Sequence, residues 1–258
     1  MTAETIKKNY SKLGASLIEK LYSDDYLSIG GSESTEVLAG YAGISANSRV
    51  LDIGSGLGGP ALHLAETYAC QVTGLDLVES NVKEASQRAK ARGLDDLVYF
   101  KCGDATAMNF SPGTFDVVWG QDAWCHIPDK GHLIASSARL LEQNGTIAFT
   151  DWVETSTMND TKRAELHEAT ASNDMATMPR YCELLENCGF SVIELTDISA
   201  TFVQQYRTVI DRLNGFKEEI SNQFGSKIYD IMMAKNGAIL RGFEDGYIGG
   251  GRVVARRK

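Results

Sequence analysis

The chain has 258 residues, 43% of them hydrophobic, which suffices for the core of one large α/β domain and excludes a disordered chain. Lys and Arg number 25 against 34 Asp and Glu, a net charge of −9; an acidic surface repels phosphate backbones and anionic lipid heads, so neither nucleic acid nor membrane is an expected partner. The five cysteines (Cys70, Cys102, Cys125, Cys182, Cys188) are odd in number and lack Cys-x-x-Cys spacing, which points to reduced cytoplasmic thiols and to neither a disulfide frame nor a metal site.

Met1–Tyr10 is charged and lacks the apolar core of a signal peptide, and no stretch approaches the length of a membrane span. Residues 4–22 predict one amphipathic helix, with Ile6, Tyr10, Leu13, Leu17 and Leu21 at helical spacing. A Gly30-Gly31 loop and a helix over 33–43 complete an N-terminal helical extension, residues 1–44, of a single domain covering 1–258. From Arg49 the pattern alternates. Strands are predicted at 49–53, 71–75, 97–101, 115–119, 145–150, 190–195 and 252–256, and helices near 58–68, 79–92, 131–141 and 180–188. Such alternation means a seven-stranded, mostly parallel sheet with helices on both faces, a Rossmann-like α/β fold. Two insertions, 152–179 and 200–248, read as helical caps. In the second, Phe202, Tyr206, Val209, Leu213, Phe216, Ile220 and Phe224 form an apolar stripe.

Arg49–Gly59 reads Arg-Val-Leu-Asp-Ile-Gly-Ser-Gly-Leu-Gly-Gly: a strand, a glycine turn and a helix start. Gly54 and Gly56 let the backbone bend and approach a ligand. Gly54-x-Gly56-x-x-Gly59 also fits the dinucleotide fingerprint, so a nicotinamide oxidoreductase is the competing reading. Asp52 argues against it, because a buried anion two residues before Gly54 is poorly placed beside a pyrophosphate. Asp76, closing Thr73-Gly-Leu-Asp76, can accept both hydroxyls of a ribose in either cofactor. Each carboxylate also has a plainer role, Asp52 in tying the loop and Asp76 as a helix N-cap.

Leu51-Asp-Ile-Gly-Ser-Gly56 resembles motif I of the class I S-adenosylmethionine-dependent methyltransferases. The resemblance extends to Gly103-Asp104-Ala105, where it implies a carboxylate on the adenine amino group and a backbone N–H beside it. It implies S-adenosylmethionine as cofactor, held by Leu27, Ser28, Asp52, Gly54, Ser55, Gly56, Asp76, Leu77, Asn81, Asp104, Ala105 and Gln121. The Asn/Asp-Pro-Pro-Tyr motif of nucleic-acid base methyltransferases is absent after strand four. Gln121–His126 instead resembles the glycine, sarcosine and dimethylglycine N-methyltransferases and the related phosphoethanolamine enzymes. That similarity includes Ile29-Gly30-Gly31, Trp119–Asp122, Phe149-Thr-Asp151, Asn173-Asp-Met175 and Gln205-Tyr206.

By this resemblance Tyr10 pairs with His126 and the pair is catalytic, with His126 taking the amine proton, so turnover is expected to rise through the histidine pH range. The plainer readings are core packing for Tyr10 and a helix cap for His126. At the phosphate-holding positions of the phosphoethanolamine enzymes stand Trp152, Ala171 and Asn173, which favours a different acceptor. Trp152, Tyr206 and Trp124 offer rings to a methylated ammonium, Trp124 doubling as core. Arg180 or Arg207 would anchor a carboxylate, Cys182 standing where relatives carry arginine. The expected activity is N-methylation of a small-molecule amine, sarcosine or dimethylglycine first. A phosphoethanolamine-type or natural-product methyltransferase, and a cofactor-binding protein without catalysis, stand as alternatives.

Overall fold

The computed structural model describes residues 2–172 and 174–258. The extension is three helices, α1 (Ala3–Asn9), α2 (Lys12–Leu21) and α3 (Gly31–Ala42). The single helix expected over 4–22 is therefore broken, at Tyr10 and Ser11. A Cβ on Gly14 would lie 1.9 Å from the Asn9 carbonyl oxygen, so α2 comes against the end of α1 at a distance only glycine allows. The break takes Tyr10 off the helical stripe.

The α/β body follows as β1 (Arg49–Ile53), α4 (Gly59–Tyr68), β2 (Gln71–Asp76), α5 (Glu79–Ala91), β3 (Val98–Cys102), β4 (Phe115–Gln121), α6 (Lys130–Leu140) and β5 (Leu141–Glu154). After α7 (Asp160–Thr170) come α8 (Met178–Asn187) and β6 (Phe190–Asp197). The second insertion holds α9 (Ser199–Gly215), α10 (Lys217–Phe224) and α11 (Ser226–Glu244), and β7 (Ile248–Arg257) ends the chain. The predicted stripe is thus shared by α9 and α10, which meet at Phe216.

The strand order is β3-β2-β1-β4-β5-β7-β6, parallel except for β7, which runs antiparallel to both neighbours. β5 and β7 are longer than predicted because they support each other, from Thr146 opposite Arg256 to Glu154 opposite Ile248. Gly249–Gly251 has little strand propensity of its own and is held by that pairing. Successive β1 residues face opposite ways. Val50 packs with Leu38, Leu62 and Ala85 under α3, α4 and α5, and Leu51 with Leu133, Ile147 and Leu185 under α6 and α8. A third core joins Leu21, Trp152, Phe202, Tyr206, Leu213 and Phe243 between the extension and the second insertion. The chain order reverses between β1 and β4, so a crevice opens at their carboxyl ends.

Candidate active site

A cavity of about 220 Å³ occupies that crevice. Gly54, at φ +86°, makes the sharp exit from β1, a conformation that favours glycine. Gly54, Ser55 and Gly56 form one wall with Leu27 and Ser28 from the extension. Asp76, Leu77 and Asn81 line it from the end of β2 and the start of α5, and Asp104 and Ala105 from beyond β3. Gln121 closes the β4 side. Asp52 is the exception among the expected cofactor residues: it lies behind the glycine turn, 1% exposed, and is not on the wall.

The wall carries polar groups that the protein does not satisfy. Ser28 Oγ, Ser55 Oγ, Asn81 Oδ1 and Gln121 Nε2 are buried with no hydrogen-bond partner, as are both carboxylate oxygens of Asp52. Each such group costs about 1–3 kcal/mol, so this lining fits a polar ligand. Burial, reinforced by the Asp76 charge, pushes Asp52 up to about 8. Asp76 accepts from the N–H groups of Gly56 (2.9 Å) and Val78 (2.8 Å), one on each oxygen. The Asn81 side chain donates to the same carboxylate, which also borders the cavity. Asp104 accepts from the Thr106 N–H and hydroxyl, both at 2.8 Å.

Tyr10 and His126 stand together at the rim. The Tyr10 hydroxyl lies 2.8 Å from His126 Nε2, and His126 Nδ1 lies 2.9 Å from the Ala171 carbonyl oxygen. A carbonyl only accepts, so Nδ1 carries the hydrogen and Nε2 accepts from Tyr10. Burial pushes His126 down to about 4 and raises Tyr10 well above its ordinary value, so both are neutral.

Both residues also line a second cavity, of about 210 Å³. Leu17, Ile18, Leu21 and Tyr22 of the extension face Trp152, Tyr206, Met232 and Ile239 across it. Tyr206 donates to Asn236 Oδ1 at 2.7 Å, and Lys235 is the one lysine or arginine on this wall among the described residues. Asp122 lines both cavities. It sits at φ +53°, a backbone conformation rare for a non-glycine residue, and accepts from the Ile29 N–H and the Thr150 hydroxyl. Burial lifts its carboxyl to about 7.

Trp152 and Tyr206 line this cavity, whereas neither Arg180 nor Arg207 does. The half-exposed Arg180 pairs with Asp174 at 3.0 Å, and Arg207 pairs with Glu244 at 2.8 Å. Both leave the cavity because their helix faces turn outward, α8 at its first turn and α9 opposite its buried stripe. Trp124 is core, stacked on Phe149 and donating to the Ile53 carbonyl. Ala171 contributes a carbonyl in place of a side chain, and Asn173 lies outside the described residues. From sequence, Asp122 enters only as the end of the Trp119–Asp122 segment, with no role of its own, and Lys235 does not enter. Asp122 is one carboxylate among 34 until its burial is known, and Lys235 sits on α11, which no periodicity announced.

Residues 51–149 match the methyltransferase domain family. The chain carries a class I S-adenosylmethionine-dependent methyltransferase domain. The chain is 27% identical over 221 residues to phosphoethanolamine N-methyltransferase 1 of Zea mays, covering 86% of the chain and 44% of the maize enzyme. It is 27% identical over 201 residues to the glycine/sarcosine/dimethylglycine N-methyltransferase of Actinopolyspora halophila, covering 78% and 36%. With methyltransferase GfsG of Streptomyces halstedii it shares 31% over 180 residues, covering 69% and 65%. The chain thus spans less than half of the first two proteins. Its fold matches that of Haemonchus contortus phosphoethanolamine N-methyltransferase 2, solved with phosphomonomethylethanolamine and S-adenosylhomocysteine, with a TM-score of 0.91. Identity there is 22%, over 100% of this chain and 61% of that one. No helix among the described residues is long and apolar enough to cross a membrane.

Proposed function

We propose that this methyltransferase methylates the nitrogen of a small amine that also carries an anionic group, sarcosine and dimethylglycine first in line. The observation that carries the reading is the shared wall: Tyr10, His126 and Asp122 border both cavities. When bound in the first cavity, S-adenosylmethionine supplies an electrophilic methyl group. The acceptor occupies the second cavity with its nitrogen toward that wall. An ammonium cannot attack, so its proton must leave, and the buried Asp122 carboxylate takes it. The Tyr10 oxygen, its hydrogen engaged by His126, accepts from a second N–H where the amine has one. Alignment supplies most of the acceleration.

Lys235 takes the anchoring role first assigned to Arg180. A single lysine suits a carboxylate better than a phosphate, which carries nearly twice the charge, and this favours the amino-acid series over phosphoethanolamine. The rings of Trp152 and Tyr206 face the methylated nitrogen. The segments 152–179 and 200–248 then act as the cap of the acceptor site within one domain. Five free thiols support a cytoplasmic location.

The test is a screen with labelled S-adenosylmethionine over glycine, sarcosine, dimethylglycine, phosphoethanolamine and amines lacking an anion. Sarcosine or dimethylglycine should be methylated best. Lys235→Met should raise KM far more than it lowers kcat, as for lost uniform binding. His126→Ala should lower turnover roughly 10²-fold with cofactor binding intact. Efficient methylation of phosphoethanolamine with the glycine series untouched would overturn the acceptor assignment.

A further inference from the structure

Lys130 opens α6 with its side chain fully buried. Nothing local favours it there. A cation in the first turn opposes the helix dipole, and burial lowers the pKa of its ammonium. What holds it is a set of acceptors from two separate segments. Its Nζ donates to the Ile127 carbonyl at 2.6 Å and to the Asp174 carbonyl, and the Asp174 carboxylate is 4.0 Å away. The Asp174 N–H donates back to the Cys125 carbonyl at 3.2 Å. The Cys125 N–H in turn donates to Asp151 Oδ1 at 3.0 Å. The turn carrying His126 is thereby stitched to the loop that contains Ala171. Ala171 ends α7 in the left-handed conformation, at φ +57° with its N–H on the Glu168 carbonyl, so where its carbonyl points follows from how this helix end is placed against the turn.

We infer that Lys130 is a positioning residue, whose buried ammonium locks the Ala171 carbonyl onto His126 and so fixes the imidazole as its Nδ1–H tautomer. The inference rests on the reading of His126 as part of the acceptor site. Without the ammonium, the Ile127 and Asp174 carbonyls lose their shared donor, and the loop can shift relative to the turn. His126 then loses the bond that reserves Nε2 for Tyr10. The ion pair of Arg180 with Asp174 lies on the outer side of the same loop, and being half-exposed it contributes much less.

The experiment reads the imidazole directly. Nitrogen-15 histidine spectra of the full chain, assigned with His126→Gln, should show one Nδ1–H tautomer at His126 in the native protein and a tautomer mixture in Lys130→Met. Lys130→Gln, which keeps an N–H donor, should fall between them, and it carries the same readouts if the methionine variant does not fold. Turnover should drop about tenfold or more in Lys130→Met, with the Kd for S-adenosylhomocysteine within about twofold of native. In a His126→Ala background the same substitution should cost less than about twofold, because the two residues act as one unit. Unchanged His126 resonances, or an equal loss in both backgrounds, would overturn the inference. Native turnover in His126→Ala would instead remove the underlying reading of the site, while the spectra still decide the role of Lys130.

Discussion

His126 is held neutral by desolvation, which pushes it down to about 4, with both ring nitrogens engaged by Tyr10 and Ala171. The rise in turnover that the sequence assigns to the histidine range therefore belongs to another group. Asp122, raised to about 7 by burial, titrates there. We expect kcat to increase with pH through an apparent pKa near 7 and no inflection from His126 near neutrality; pH–rate profiles of the native protein and Asp122→Asn check this, the variant losing the inflection. At the other end of the site, Asp76 holds the Gly56 and Val78 N–H groups as well as facing the cavity. Asp76→Ala should weaken S-adenosylhomocysteine binding at least tenfold, since each charged hydrogen bond contributes about 1.5–3 kcal/mol. Calorimetry giving an unchanged Kd would take Asp76 out of the cofactor site. Asp52 and Asp76 were legible because motif spacing exposes them. The roles proposed for Asp122 and Lys235 were not, because they rest on burial and on which wall each residue reaches.

The break between α1 and α2 decides where Tyr10 goes. Apolar spacing is continuous from Ile6 to Leu21 and reports only a helix face, whereas the close contact at Gly14 is between backbones and leaves no trace in hydropathy. Alanine at this position would drive a Cβ into the Asn9 carbonyl, where no flexible side chain can yield. Gly14→Ala should therefore displace α1, part Tyr10 from His126 and lower turnover about tenfold or more, while the α/β body keeps its stability. Thermal melting together with steady-state assays tests this; native turnover would show that the helix pair tolerates the clash. The second insertion teaches the same lesson. Its stripe correctly marked residues that pack inward, yet it ran through the junction at Phe216 and missed α11, because period alone cannot count helices joined in register.

Across the whole molecule, buried carboxyls give stability an unusual pH slope. Asp52 and Asp122 ionise near 8 and 7 in the fold, both raised by burial, against a model-compound value of 3.8. Between the unfolded and folded values the native state binds more protons, so this contribution is lost as pH rises. His126, depressed to about 4 from 6.5, pulls the other way, but only below 6.5. In the cofactor-free protein the denaturation midpoint should thus fall from pH 6.5 to pH 8, and less steeply in Asp122→Asn. A midpoint that rises over this interval would contradict the burial of these groups. The sequence alone determined the alternating α/β body, the succession of strands and helices along the chain, and the glycine turn at Gly54 to Gly56, because these depend on local periodicity and on backbone demands that particular residue types reveal. It also singled out Tyr10 and His126, through resemblance. Only the tertiary structure decided that they meet at 2.8 Å between two cavities, that Arg180 turns outward to Asp174, and that Lys235 reaches the wall of the second cavity. Those outcomes depend on how α1, α8 and α11 pack, and packing brings together residues that no local pattern connects, such as Tyr10 and His126, 116 positions apart.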